Sequence, residues 1–215
     1  MSKIILITRP NHDLTTNYLY FWSEAVINIT EKHNLTILDL NKNKANKKNF
    51  DSYIKNKHPN FIFLNGHGSE TEITGYDNEV LIDSSDNKAM VTASIIYARS
   101  CDSGKILGKV LVDNGAGAFI GYKRKFVFLY NPDYSTKPQK DSVAKIFLEP
   151  SNLIPSTIIK GHSAGDAHNR AKESMLRTFR KLLLSSSDSE ERYCASHLWS
   201  NIKCQVLLGD PETKM

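Results

Sequence analysis

No stretch of this 215-residue chain is apolar for long enough to cross a bilayer or act as a signal peptide, because Ile4-Ile-Leu-Ile7 is interrupted at once by Thr8-Arg9-Pro10. Cysteine is scarce. The three thiols, Cys101, Cys194 and Cys204, are an odd number without CxxC spacing, which excludes a disulfide framework and a zinc ribbon as readings. A soluble protein in the reducing cytoplasm, with no membrane partner, is the expectation. The loops that cradle nucleotides or carry a serine nucleophile are missing too: there is no GxGxxG, no Walker A and no GxSxG. No internal repeat is visible. No cofactor and no metal are expected. His162 and His168 flank Asp166, but their spacing does not place both imidazoles on one helix face, and Ser163 or Asp166 serves more simply as a helix cap. No acidic cluster supports a calcium site.

Charge points in one direction only weakly. The net charge of +5 is concentrated in Asn41-Lys-Asn-Lys-Ala-Asn-Lys-Lys48 and Lys123-Arg-Lys125, with no RNA-binding aromatic motif beside either. Nucleic acid is therefore not an expected partner. At 40% hydrophobic the chain can bury one sizeable core, and a single domain over residues 1–215 is expected. Apolar runs alternate with helical patterns. Strands are expected at 3–8, 35–40, 61–64, 93–98, 116–122 and 202–208, and a hairpin around Glu79-Val-Leu-Ile-Asp83. Helices are expected at 15–29, 47–57, from Lys105 to Val112, and from about 165 to 184, where Ser185-Ser-Ser-Asp-Ser189 closes the last. Residues 123–141 are the least regular. Repeated β-α units with apolar strands imply an α/β protein: a mostly parallel six-stranded sheet with helices on both faces, a three-layer sandwich.

Two of those strands end in reactive side chains. Phe61-Ile-Phe-Leu64 runs into Asn65-Gly66-His67-Gly68, and Ala93-Ser-Ile-Ile-Tyr-Ala98 runs into Arg99-Ser100-Cys101-Asp102-Ser103-Gly104. In open α/β sheets the loops at the carboxyl ends of strands hold the functional groups, so thiol and imidazole are delivered to one edge. Their separation of 34 residues is no obstacle, since the two need only meet in space. The turn after Cys101 leads into the expected helix at Lys105, and a thiol at a helix N-terminus gains thiolate character.

An apolar strand ending in His-Gly, followed by one ending in a small residue and Cys, resembles the caspase-like cysteine peptidases. The motif order is most similar to gingipain-like and CHAT domains. Asn114-Gly-Ala-Gly-Ala-Phe-Ile-Gly121, Gly165-Asp166-Ala167 with Ala171-Lys172, and Val206-Leu-Leu-Gly-Asp-Pro211 extend that similarity over about residues 3–212. The resemblance implies the caspase-like sandwich and a cysteine endopeptidase acting on a protein or peptide through an acyl-enzyme. It implies catalytic roles for His67 and Cys101 and an oxyanion hole from the N–H groups of Gly68 and Cys101. It also implies regulation by loop cleavage or by a protein partner, with residues 122–126 and 130–140 as the loops concerned.

By the same resemblance Arg99, two residues before the thiol, lines the substrate pocket. Arg9 ends the first strand on the same edge, so two guanidiniums are expected to favour an acidic side chain. Asp102 or Asp133 leaves a basic preference open. Two other readings stay open: a catalytically silent caspase-like interaction module, and an unrelated flavodoxin-like hydrolase or signalling domain.

Overall fold

The computed structural model describes residues 3–85, 95–184 and 189–215. The expected closure at Ser185–Asp188, and residues 93–94 of the expected thiol strand, lie outside them. Six strands form the main sheet: β1 (Ile4–Arg9), β2 (Thr36–Asn41), β3 (Phe61–Asn65), β6 (Ile95–Arg99), β7 (Ala118–Tyr122) and β8 (Gln205–Gly209). A separate antiparallel hairpin is made by β4 (Glu72–Thr74) and β5 (Val80–Asp83). The order in the large sheet is β2-β1-β3-β6-β7-β8, all parallel except the last pair. That is the mostly parallel six-stranded arrangement read from the sequence.

Side-chain alternation sorts the strands onto two cores. Ile5, Ile7, Phe61, Phe63, Ile95, Tyr97, Ile120 and Tyr122 face one side, packed by Tyr18 and Leu19 of α1 (Leu14–Trp22), Val26 of α2 (Glu24–Lys32), Ala144 and Leu148 of α5 (Ser142–Ile159), and Ala167 and Ala171 of α6 (Ala164–Leu184). Leu6, Ile62, Leu64, Ile96, Ala98 and Phe119 face the other, under Phe50 and Ile54 of α3 (Lys47–Lys57), Leu107 and Leu111 of α4 (Leu107–Asp113), and the hairpin. Strands buried on both faces have no polar alternation, which is why each reads as a continuous apolar run. A third cluster, Phe147, Met175, Leu198 and Ile202, seats α7 (Ser189–Cys204) outside α5 and α6.

Four features depart from the sequence reading, the first being α7 (Ser189–Cys204), which was not expected and takes in residues 202–204 of the expected last strand, so that β8 starts at Gln205. The expected helix at 15–29 is two helices broken at Ser23, whose hydroxyl bonds back to the Leu19 carbonyl and competes with the helical ladder. An eighteen-residue helix, α5, runs through Pro150 and Pro155 where no element was expected. Interior proline each time removes a ladder donor. Here burial of Phe147, Leu148, Ile154 and Ile158 outweighs that loss. Finally, α4 begins at Leu107 and not at Lys105, so its start lies six positions beyond Cys101. No helix among the described residues is long and apolar enough to cross a membrane.

Candidate active site

Parallel pairing of β3 with β6 sets Asn65 opposite Arg99. Two residues beyond each partner lie His67 and Cys101, so the sheet register itself carries imidazole and thiol to one edge. The contact between their loops is close. A Cβ placed on Gly68 would lie 2.9 Å from the Cys101 carbonyl oxygen and 2.9 Å from the Ser100 Cβ. The missing Cβ at position 68 is what lets the thiol loop pack this closely against the imidazole loop. Gly68→Ala is therefore expected to push the thiol loop away and lower any turnover by at least about tenfold, at the scale of 1.4 kcal/mol per decade. Steady-state assays of the variant beside wild type make the comparison, and unchanged turnover would show that the thiol loop tolerates the added methyl.

The main-chain N–H of Gly68 points away from the β4–β5 hairpin. Gly68 faces Ile73 in an isolated antiparallel bridge whose hydrogen bonds run from Ser69 N–H to Glu72 and from Thr74 N–H to His67. In that pattern the bridged residue's own N–H points away from its partner. Among the described residues neither the Gly68 nor the Cys101 N–H donates to a backbone carbonyl. They are the two N–H groups that the resemblance assigns to an oxyanion hole.

A third group, not foreseen, completes the cluster. The His67 Nε2 lies 2.5 Å from Asp13 Oδ2. Asp13 caps α1: its Oδ1 accepts from the Thr16 N–H at 2.7 Å and the Thr16 hydroxyl at 2.8 Å, and the hydroxyl in turn accepts from the Asp13 N–H. Burial alone would raise the Asp13 carboxyl, but the bonds from Thr16 and His67 outweigh it and hold it below the usual carboxylate range. It is ionised at neutral pH. With Nε2 committed to Asp13, Nδ1 is the imidazole nitrogen left for proton transfer. The signal for Asp13 was present as Asp13-Leu-Thr-Thr16 directly after the first strand, a capping pattern at the same sheet edge.

Cys101 differs from the expectation of an activated thiolate. It sits in a turn six residues before α4, beyond reach of a helix terminus, and burial pushes its thiol up. The sulfur lies 3.9 Å from the Phe126 carbonyl. All three cysteines are reduced thiols; Cys101 is partly exposed, Cys194 and Cys204 are buried, and burial pushes Cys204 up to about 11. Iodoacetamide is expected to label Cys101 first, with a rate that keeps climbing above pH 8. A pH-independent rate down to pH 6, read by peptide mass mapping, would contradict a protonated resting thiol.

The specificity residues are corrected by their place in the strands. Alternation puts Arg99 on the face of Ile95 and Tyr97, under α1, α2 and α5, and its side chain is 0% exposed. It donates to Asn65 Oδ1 (2.9 Å), Ser151 Oγ (3.1 Å), Asn152 Oδ1 (2.9 Å), the Leu19 carbonyl (3.3 Å) and Ser23 Oγ (2.9 Å), and stacks over Phe63. It cannot line a substrate pocket. Arg9 is likewise committed, forked onto both oxygens of Asp39 at 2.9 and 2.5 Å and lying over the Tyr20 ring. Asp102 takes a left-handed backbone (φ 56°) and pairs with Lys105 at 2.9 Å, which also reaches Glu70 at 2.6 Å on the His67 side. Glu70, Lys105 and Asp102 thus tie the imidazole loop to the thiol loop. A cleft of about 1100 Å³ between residues 128–132 and α5, α6 and α7 shares no residue with the cluster.

Comparison with known proteins follows this geometry. No curated protein matches the sequence. The chain superposes on the Arg-specific cysteine proteinase gingipain R (RgpB) with a TM-score of 0.61 at 13% identity, covering 99% of this chain and 47% of that one. It superposes on the Porphyromonas gingivalis complex of RgpB pro- and mature domains with a TM-score of 0.59 at 14% identity, covering 99% and 48%. A further protease structure gives 0.52 at 16%, covering 99% and 48%. The chain spans about half the length of the structures it matches, and the likeness is one of fold, the gingipain and caspase-like α/β fold. The model of peptidase family C25 matches residues 2–215, essentially the whole sequence, and the chain belongs to that family.

Proposed function

We propose that the chain is a cysteine endopeptidase that cleaves peptide bonds through a thioester on Cys101, with His67 as its proton carrier and Asp13 orienting the imidazole. The observation that carries this reading is the Asn65–Arg99 register, which sends His67 and Cys101 off neighbouring strands at the same level. Because the resting thiol is protonated, the first step couples two events. Nδ1 of His67 accepts the Sγ proton as sulfur attacks the scissile carbonyl, and the imidazolium faces the Asp13 carboxylate. The carbonyl oxygen takes up the electron pair and is held by the Gly68 and Cys101 N–H groups; one such donor contributes about 2.7–4 kcal/mol to the barrier in comparable sites. Collapse expels the amine, which leaves with the imidazolium proton, and His67 then activates water to release the acid.

Substrate selection is not assigned to Arg9 or Arg99, whose guanidiniums are spent internally. Regulation belongs to the same proposal. Residues 123–141 are held by Asn201, which bonds the Val127 N–H and carbonyl, by Asp141 at the Asn131 N–H, and by Trp22 at the Pro138 carbonyl. A cut or a protein partner acting there reaches Phe126, beside the thiol. That one matched structure is a complex of pro- and mature domains supports a protein partner. Three cysteines, an odd number without CxxC spacing, suit a reducing compartment such as the cytoplasm. A peptide-library cleavage profile tests the reading: wild-type protein should cleave a defined subset, and the Cys101→Ala protein none. Equal cleavage by both would end it.

A further inference from the structure

The loop that supplies Asp13 also places His12, and no step of the peptidase reading uses it. The His12 side chain is 8% exposed, and among the described residues neither ring nitrogen has a hydrogen-bond partner. A buried imidazole with both nitrogens unmatched is unusual, because buried polar atoms are nearly always paired. It is not adrift. The ring packs edge-on against Tyr76 and His67, with centroids 5.5 and 6.1 Å away, and its Nε2 lies 3.7 Å from Asp13 Oδ2. One ligand atom each from His12, Asp13 and His67 lies within 4.8 Å of the other two.

We infer that His12, Asp13 and His67 form a binding site for a zinc-class divalent cation, whose occupation takes His67 out of proton transfer. Two imidazoles and one carboxylate suit zinc and its borderline neighbours and not calcium or magnesium, which take oxygen. Zinc–nitrogen and zinc–oxygen bonds of about 2.0–2.2 Å in a tetrahedron set ligands about 3.3–3.5 Å apart. Reaching that geometry from 3.7 Å, 2.5 Å and, between the two imidazoles, at most 4.8 Å requires relative movements of no more than about 1.5 Å. Carboxylate orientation is already arranged: Thr16 holds Oδ1 by its N–H and hydroxyl, leaving Oδ2 turned toward both imidazoles, as outer partners do in metal sites. Three protein ligands leave a fourth position open. This departs from the sequence expectation of no metal, which weighed the cysteine spacing, the His162–Asp166–His168 cluster and acidic clusters but not His12.

The site stands apart from the peptidase reading; only its regulatory meaning rests on it. With Nε2 of His67 on the cation, the Asp13 carboxylate is withdrawn from the imidazole and Nδ1 becomes a poorer base. The test is calorimetric titration of the Cys101→Ala protein with zinc chloride, a variant that removes the thiol as ligand. One saturable site is expected, without a calcium counterpart. His12→Gln and His12→Phe, the second keeping the ring against Tyr76, are each expected to weaken binding at least tenfold, the lower limit seen for loss of a residue that merely orients a ligand. Absence of saturable binding, or unchanged affinity in both His12 variants, overturns the site. In the intact protein, zinc should depress cleavage relative to each variant's own uninhibited rate at lower concentration for wild type than for His12→Phe. Zinc binding that needs His12 in a protein without peptidase activity would keep the site and reject the proteolytic reading.

Discussion

His67→Ala is expected to reduce peptide cleavage by about 10²–10⁴-fold, the range that positioned acid–base groups contribute, with a melting temperature within a few degrees of wild type. The structural half of this follows from exposure: the His67 side chain is 40% accessible and belongs to no core cluster, so its loss opens no cavity. The kinetic half follows from the resting state of the thiol. Burial keeps Cys101 protonated, so without His67 nothing takes its proton as the sulfur attacks. Asp13→Asn separates orientation from capping. Asparagine caps a helix about as well as aspartate, so α1 should persist, while the charge facing the imidazole is lost. Activity is then expected to fall by at least about tenfold, because the imidazole loses the charged partner that orients it. An Asp13→Asn enzyme with wild-type turnover would remove that residue from the mechanism.

Arg99→Ala is expected to be the most destabilising single change on this sheet edge. Among the described residues the guanidinium has no carboxylate partner; five acceptors from α1, the Ser23 break, β3 and α5 surround it, and burial lowers it to about 10, so it stays charged at neutral pH. Removing it strands those acceptors in a dry interior and leaves a cavity the size of the side chain. Breaking such buried polar sets typically costs about 3–5 kcal/mol, a loss of roughly 6–20 °C for a chain of this length. Arg99→Lys should recover part of this, since an ammonium keeps the charge but cannot fork to several acceptors at once. Substrate preference among the surviving molecules should not change. A stable Arg99→Ala protein with an altered cleavage profile would instead return the residue to the pocket.

The consequences of Arg99 extend beyond stability. Through Asn65 it grips the strand that ends in His67, through Leu19 and Ser23 the end of the helix that begins at Asp13, and on its own strand it lies two residues before Cys101. All three members of the site converge on one buried cation.

Much of the architecture was legible because strands buried on both faces leave a plain apolar signature, and because Phe61–Leu64 and Ile95–Ala98 both stop at chemistry-bearing loops. What was missed had physical reasons. Arg99 was assigned by motif position, although counting by twos from Ile95 and Tyr97 puts it on the core face. Asp13 lies 54 residues from His67, and only the β1–β3 pairing brings their loops together. The helix through Pro150 and Pro155 forms against local propensity because tertiary burial overrides it. Thiolate activation was inferred from a helix start that the turn at Ser103–Ile106 delays.

The central claim is that Cys101 becomes acylated by the substrate. Acid-quenched wild-type protein mixed with an activated peptide ester, analysed by intact mass and then by tandem mass spectrometry, should carry a single acyl group on Cys101, and the Cys101→Ala protein should carry none. An acyl group on another residue, or peptide cleavage that persists in the Cys101→Ala protein, would contradict it.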